Sequence, residues 1–451
     1  MRSTWRLFST LPMKRLPARA AAVAVGLTMV AAGCGGGGEE SSAPQQTGGQ
    51  QLKGQRVEVA AVWTGQEQQK FKQVLDAFAQ RTGATVQYTP TGDNVSTFLG
   101  SKVQGGAPPD VAMLPQQGVL VQFAQEGWIK ELAPDVQQTV KQNYAQIWQE
   151  LGSADGKTYG VYFKVANKST VWYRTQAFTD AGVAQPPTTW DQFVQTAGTI
   201  SDSGTTPIAI AGGDGWTLTD WFENIYASQA GVDKYDQLSK HEIPWTDPSV
   251  KEALRTLAEL WGKPNYIAGG PGGALQMDMP TSVTAAFGDP PKAAMVYEGD
   301  FVPGVIGEQT KAKVGTDANF FPFPAVGQQP PVVGGGDAAV AMKDTPGARE
   351  LLKFLASTEA AEIWAKLGGF TSPNKSLQMS VYPDEVQRRI AKSVIDAGNN
   401  FRFDMSDLAP ASFGGTKGEG EWKDLQDFLQ NPSDVDGAAE QLEADAAKAF
   451  K

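Results

Sequence analysis

The fold is decided by residues 57–114, a stretch that opens with the apolar run Val57-Glu-Val-Ala-Ala-Val-Trp63. This run predicts a buried strand. After Gly65, apolar side chains recur at helical spacing and predict a helix with one buried face. Further strands at 84–88 and 110–114 enclose a second helix at 95–103. Alternation of strand and helix is typical of a parallel sheet covered by helices.

The rest of the chain continues this α/β pattern. Strands are predicted at 170–173, 293–297 and 338–342, and Pro186 to Val194 contains a helix start with a Thr capping ahead of Trp190. Three helices are predicted at 347–357, 358–367 and 384–397. Gly334-Gly-Gly-Asp337 is interpreted as a hinge-like turn, with a static tight turn as the alternative. The roughly 400 residues after position 54 exceed one ordinary core, so two lobes are expected.

The N-terminus has the plan of a secretory signal peptide, and its last residue precedes the only cysteine, Cys34. Cationic residues precede a short apolar run, and Ala31-Ala32-Gly33-Cys34 is similar to the lipobox of bacterial lipoproteins. A transmembrane helix is the alternative, but the apolar run is shorter than the roughly 20 residues that a spanning helix needs. We therefore predict a signal peptide at 1–33, lipid attachment at Cys34 and a flexible leash at 34–54.

Composition excludes several classes of function. A single cysteine leaves no disulfide, and a single histidine, His241, disfavours triad hydrolysis and histidine-bound metals. No phosphate-binding loop of the Gly-x-x-x-x-Gly-Lys-Ser/Thr type is present. The net charge of −11 disfavours a nucleic-acid partner. We expect no cofactor, no metal and no nucleic acid, and His241 is interpreted as a surface or capping residue.

Ordered motifs over most of the chain resemble one protein family, the extracellular solute-binding proteins of carbohydrate ABC importers. The resemblance is to maltose-binding-protein-like members, and is strongest to the alpha-glucoside-binding branch. The motifs that carry it are Trp172-Tyr-Arg, Pro187-Thr-Thr-Trp-Asp191, Gly215-Trp216 with Thr219-Asp-Trp221, His241-Glu-Ile-Pro-Trp-Thr-Asp-Pro-Ser-Val250, Phe320-Phe-Pro-Phe-Pro324, Gly334-Gly-Gly-Asp337, 360–373 and Phe401-Arg-Phe-Asp-Met-Ser-Asp407.

This resemblance implies two α/β lobes that close over a ligand about three crossing segments. The crossings are expected near 164–169, 324–334 and 371–375. Lobe 1 is predicted to comprise 55–165 and 330–372, and lobe 2 to comprise 166–329 and 373–451 with the closing helices. The implied partners are a small carbohydrate, the permease subunits of the importer and, through the lipid, the outer face of the cell membrane. A monomer is expected.

The resemblance also implies a set of ligand-binding residues, which come from segments far apart in the chain. Those after the strands of lobe 1 and at the first crossing are Trp63, Gln66, Gln116, Gln117, Lys164 and Asn167. Those expected from lobe 2, the hinge turn and the closing helices are Trp216, Asp220, Glu298, Asp300, Phe301, Gly336, Asp337, Phe370 and Arg402. Phe301 stands where many relatives carry Trp. Asp110 is interpreted as a structural cap rather than a ligand contact.

Three functions remain open from the sequence. The leading hypothesis is a non-enzymatic binding protein for an oligosaccharide, specifically an alpha-glucoside, since carboxylates and amides bind sugar hydroxyls while aromatic faces cover a pyranose ring. The 12 Trp, 21 Phe and 10 Tyr residues suit this role, although any single Trp is as readily a core residue. The second hypothesis is a binding protein for a glycerophosphodiester or sulfonated sugar. The third is a glycoside hydrolase with paired carboxylates.

Overall fold

Two large β-sheets and one two-stranded sheet lie within residues 51–451, the part of the chain that this computed structural model describes. The predicted signal peptide, Cys34 and the leash up to residue 50 lie outside the described residues. The strands are β1 Arg56–Ala61, β2 Thr85–Pro90, β3 Val111–Leu114, β4 Ser153–Ala154, β5 Lys157–Thr158, β6 Gly160–Asn167, β7 Thr170–Arg174, β8 Ile208–Ala209, β9 Met295–Tyr297, β10 Ala318–Pro322, β11 Val332–Ala341 and β12 Phe401–Phe403.

Helices cover both sheets and connect most of the strands. They are α1 Gly65–Thr82, α2 Val95–Gln104, α3 Gln117–Gln125, α4 Pro134–Asn143, α5 Gln146–Leu151, α6 Thr175–Asp180, α7 Trp190–Asp202, α8 Trp216–Ala230, α9 Val232–Leu238, α10 Pro248–Trp261, α11 Gly270–Ala274, α12 Met279–Phe287, α13 Val302–Gln309, α14 Pro346–Leu355, α15 Thr358–Leu367, α16 Glu385–Ala397, α17 Met405–Leu408, α18 Ala411–Gly414, α19 Gly420–Gln430 and α20 Val435–Ala449. Within residues 51–451, no helix combines the length and the apolar character needed to cross a bilayer.

The first lobe is built on the sheet β12-β11-β3-β1-β2, with β6 also paired to β11. Strand β1 runs parallel to β2 and β3, so the predicted parallel core is confirmed. Helix α1 buries the predicted face of Phe71, Val74, Leu75 and Phe78. Strand β11 runs antiparallel to both β3 and β6, which the alternation of strands and helices did not predict.

The second lobe is built on the sheet β10-β7-β9-β8. Its long helices pack an aromatic core that includes Trp221, Trp245 and Trp261. Helix α7 begins as predicted, because the Thr189 hydroxyl accepts a hydrogen bond from the backbone N–H of Gln192 at 3.4 Å. Asp110 has a structural contact, since its carboxylate accepts the backbone N–H of Glu58 within β1 at 2.8 Å, and it does not line the cavity described below.

The chain crosses between the lobes where β6 leads into β7 and where β10 leads into β11. After α15 the chain runs antiparallel to β6, where Thr371 forms an isolated β-bridge with Val165. It then enters the second lobe, because Val386 and Ile390 of α16 pack in a core of that lobe. Strand β12 then joins the first sheet, although the prediction placed all of 373–451 with lobe 2. Leu52, predicted to lie in the leash, is only 3% exposed and packs in the first core.

The predicted hinge turn at Gly334-Gly-Gly-Asp337 is wrong, because these residues lie inside strand β11 and pair with β6. The glycines are required by close packing. A Cβ at Gly334 would lie 2.5 Å from the carbonyl oxygen of Ala166, and one at Gly336 would lie 3.0 Å from that of Lys164. The run therefore lets two strands approach closely at the cleft floor, and it is not a flexible turn.

Candidate functional site

A cavity of about 360 Å³ lies between the lobes, at the carboxyl ends of β1 and β3. This is the position expected for a ligand site in an open α/β sheet. Seven of the predicted residues line it: Trp63, Gln116, Lys164, Trp216, Phe301, Gly336 and Asp337. The sequence thus located parts of both walls of the cleft.

Trp216 and Phe301 form an aromatic corner on the second-lobe wall. Their ring centroids lie 6.0 Å apart at an interplanar angle of 67°. Trp216 is the first residue of α8 and follows Gly215. The φ of Gly215 is +87°, and a Cβ added there would lie 2.8 Å from the Cβ of Trp422, so a larger residue is excluded. Both rings are partly exposed, so each retains surface for a ligand.

Trp63 belongs mainly to the core, although it reaches the cavity. It is 3% exposed and packs edge-on against Phe71 at 4.7 Å and against Trp364 at 4.8 Å. Its removal would therefore disturb the first lobe as well as the cleft.

Lys164 holds the floor of the cleft on the first-lobe side. Its Nζ lies 2.7 Å from Glu67 Oε1 and within 6 Å of the rings of Trp63 and Phe301. Burial alone would lower the pKa of Lys164, but the carboxylates of Glu67 and Asp337 outweigh it and hold that pKa above its usual value. Lys164 is therefore a permanent cation in a dry corner.

Asp337 is a buried carboxylate with spare hydrogen-bonding capacity. It is 7% exposed, lines the cavity, and its side chain accepts no hydrogen bond from any residue within 51–451. Burial raises the pKa of Asp337 to about 6, against the attraction of Lys164. An unpaired acceptor in such a place is costly unless a ligand or water completes it.

Lys168 lies four residues along the same backbone and is surrounded by carboxylates. Its Nζ contacts Asp404, lies 3.3 Å from Asp220 Oδ1 and lies 3.4 Å from Asp407 Oδ2. Burial raises the pKa of Asp220 well above its usual value, whereas at Asp404 the charge of Lys168 outweighs burial and holds the pKa below its usual range. Neither carboxyl oxygen of Asp220 has a hydrogen-bond partner within residues 51–451, and its ion pair there is with the Lys168 amine.

The other predicted site residues do not line the cavity. Asn167 Nδ2 donates to Ser393 Oγ at 2.8 Å, and Asp300 Oδ2 accepts from Thr371 Oγ1 at 2.6 Å, so both tie the crossings together. Phe370 stacks on Trp364 in the core, and Arg402 pairs with Asp236 at 2.7 Å. The remaining such residues are Gln66, Gln117, Asp220 and Glu298.

Fifteen of the 22 cavity residues were not predicted by the sequence analysis, and five of these are acidic. Six carboxylates and two lysines line the cavity: Glu67, Asp93, Asp214, Asp278, Asp337 and Asp407, with Lys164 and Lys168. Asp407 ends the quoted motif that begins at Phe401, and Asp278 precedes Pro280 at a helix start, where its side chain accepts the N–H of Thr281 at 2.8 Å. Nothing in the local sequence indicated that these acidic residues face the same cavity.

Trp422 also lines the cavity and was not predicted. Its indole N–H is buried and has no hydrogen-bond partner among residues 51–451. His241 lies elsewhere, against Glu443 at 3.1 Å. No cluster of three or more potential metal ligands occurs in the described part of the chain.

A family profile of bacterial extracellular solute-binding proteins matches residues 63–362. This chain belongs to that family. Its resemblance to the solute-binding proteins of ABC importers is thereby confirmed, and so is its two-lobed fold. It is an extracytoplasmic substrate-binding component and not an enzyme.

Two curated relatives match nearly the whole chain. The osmoprotective compounds-binding protein GgtB of Synechocystis sp. is 33% identical over 383 residues, covering 83% of this chain and 88% of the relative. The alpha-glucosides-binding periplasmic protein AglE of Rhizobium meliloti is 32% identical over 406 residues, covering 87% of each.

Solved structures of similar fold support the same architecture. The bacterial solute receptor AcbH, described with a preference for b-D-galactopyranose, superposes with a TM-score of 0.76 at 21% identity, over 88% of this chain and 99% of that one. The maltose-bound MalE3 of T. maritima superposes with a TM-score of 0.68 at 16% identity, over 87% and 99%. At these identities the likeness concerns the fold alone.

Proposed function

We propose that this binding protein captures a short neutral sugar, an alpha-glucoside of about two rings, and delivers it to an importer permease. The observation that carries the proposal is the unpaired carboxylate of Asp337 beside the aromatic corner of Trp216 and Phe301. A ring packed on that corner would present its hydroxyls to Asp337, which lacks other partners. Trp422 lines the same cavity and adds a third aromatic residue to it.

The charge of the cleft favours a neutral ligand over an anionic one. Six carboxylates face two lysines there, and both lysines are already paired with carboxylates. A phosphodiester or sulfonate would need unpaired cations converging on it. No observation favours that alternative.

The size of the cavity limits the ligand. Its volume of about 360 Å³ lies near the lower end of small-molecule sites. A disaccharide is therefore favoured over a long oligosaccharide. The names of the two relatives, which refer to osmoprotective compounds and alpha-glucosides, agree with such a ligand.

The remaining sequence predictions belong to this proposal. A lipid at Cys34 would hold the monomeric binding body at the outer face of the membrane, and the lobes would divide near residues 165, 329 and 372. Replacing Cys34 with Ser should release the protein from membranes into the medium. Retention after a high-salt wash would contradict the anchor.

The test of function is a calorimetric and thermal-shift screen of the purified protein. Maltose, sucrose, trehalose and maltotriose should be compared with glycerophosphocholine and sulfoquinovose. A ligand that binds only the folded state raises its melting temperature. We expect a disaccharide to give the largest shift. A shift with only an anionic compound would overturn the proposal, and so would turnover of any bound sugar.

A further inference from the structure

The first turn of α1 and the end of α13 meet across the cleft, one from each lobe. Helix α1 packs in the first core through Phe71, and α13 packs in a second-lobe core through Val302 and Ile306. Glu67, next to Gln66 in α1, and Phe301, at the start of α13, both line the cavity. The contact therefore joins the two lobes beside the cavity, one residue from Glu67 and its pair with Lys164.

One carboxylate makes the contact. Glu308 Oε2 accepts the backbone N–H of Gln66 at 3.3 Å. A Cβ added at Gly65 would lie 2.7 Å from the same oxygen, so only glycine at this position lets the carboxylate reach the N-terminus of α1. The sequence resemblance assigned Gln66 to the ligand, whereas the structure places its backbone against the other lobe.

The N-terminus of α1 lacks a capping side chain of its own, so its free backbone N–H groups can donate to this carboxylate. Thr64 is the N-cap residue, but its side chain makes no capping hydrogen bond. The first N–H groups of a helix lack intrahelical partners and carry a partial positive charge, which attracts an anion. Glu308 therefore caps a helix of the opposite lobe. Lys70, one turn along α1, lies within electrostatic reach of both Glu308 and Glu67.

We propose that Glu308 is a closure latch, a carboxylate that stabilises the closed form by capping α1 and does not touch the ligand. Rotation about the crossings would separate α1 from α13 and break the contact, so the latch acts only when the lobes are closed. A group that favours the binding-competent form raises affinity in proportion to the population of that form. The latch thus tunes how tightly every ligand of this cleft is held.

The latch rests on the proposed function only in requiring that a ligand occupy the cleft, and its main test needs no sugar. The full chain with Cys34→Ser has no cysteine, so spin labels can be attached at Ser101→Cys in α2 and Thr281→Cys in α12, on opposite walls. Distance distributions should be measured for Glu308, E308Q, E308A and E308K. Glu252→Ala, which breaks an exposed pair with Arg255 on the second lobe, is the matched control.

We expect the ratio of closed to open distances to fall in the order Glu308, E308Q, E308A, E308K. For E308A the fall should be about two- to fivefold, the size of a surface helix-terminus interaction. High salt should reduce the ratio in wild type more than in E308A, because exposed charges are screened. Melting temperatures without sugar should be unchanged, since Glu308 is exposed.

The affinity measurements give a second readout. Each of maltose, sucrose and trehalose that binds wild type should bind E308A more weakly by one common factor, whereas a residue that contacts ligand would discriminate between them. If no sugar binds wild type, the sugar function fails and the distances still decide on the latch. Distance distributions that are the same in all four proteins would overturn the latch, whatever the sugars do.

Discussion

Two buried lysines, Lys164 and Lys168, lie four residues apart on one wall of the cleft and differ in the number of carboxylates that surround them. The Lys168 amine is saturated by Asp220, Asp404 and Asp407, which come from both α8 and the segment around α17. Lys164 has one direct carboxylate partner, Glu67, and its neighbour Asp337 has no hydrogen bond within the described residues. The Lys168 cluster links distant segments of the fold, whereas Asp337 presents an acceptor without a hydrogen bond to the cavity.

The largest effect should come from Lys168→Met. Asp220, Asp404 and Asp407 would lose the one cation that pairs with them within residues 51–451, so the free energy of unfolding should fall by about 3 to 5 kcal/mol. Urea denaturation followed by tryptophan fluorescence measures it. The control is Lys392→Met, which breaks the exposed pair with Asp396 and should cost less than about 0.5 kcal/mol. Equal losses in both variants would remove the distinction between the two lysines.

Asp337→Asn should separate binding from stability. The substitution breaks no hydrogen bond within residues 51–451 but removes a charged acceptor from the cavity. We expect the free energy of sugar binding to weaken by about 1.5 to 3 kcal/mol, the size of a hydrogen bond to a charged group. Calorimetry with the best sugar from the screen measures it. Unchanged affinity would mean that the sugar donates no hydrogen bond to the Asp337 carboxylate.

Trp216→Ala tests the aromatic corner beside the Lys168 cluster. Because Trp216 is partly exposed and stacks edge-on with Phe301, its loss should weaken sugar binding by about 1 to 3 kcal/mol with little change in melting temperature. Trp63→Ala is the contrasting variant, since Trp63 is buried and should lower the melting temperature strongly. Unchanged affinity together with a large drop in melting temperature for Trp216→Ala would show that Trp216 is a core residue and not a ligand contact.

The smallest effect should appear as a pH dependence. The pKa of Asp337 is raised to about 6 in the folded state, so the folded protein binds more protons than the unfolded chain between about pH 4 and pH 6. Stability must therefore fall as pH rises through that window, by about 1 to 2 kcal/mol from this group. Denaturation of Asp337→Asn across the window should show a flatter slope. Parallel pH profiles would contradict the assignment.

Local sequence determined the elements of this protein. The first-lobe strands and helix α1 follow from apolar periodicity, and α7 begins at its Thr189 cap because helix starts are set by a few neighbouring residues. The motif order identified the family and seven of the 22 residues that line the cavity. The lipid anchor at Cys34 stays a prediction.

Only the tertiary structure decided which side chains meet. Lys168 and Asp404 are 236 positions apart, and Gln66 and Glu308 are 242 apart. Asp337 faces the cleft because Gly334-Gly-Gly336 packs closely against β6, a contact that no local pattern encodes. Periodicity says which residues share a face of one element. The partner of that face, and so the chemistry of the cleft, is set by how distant segments pack together.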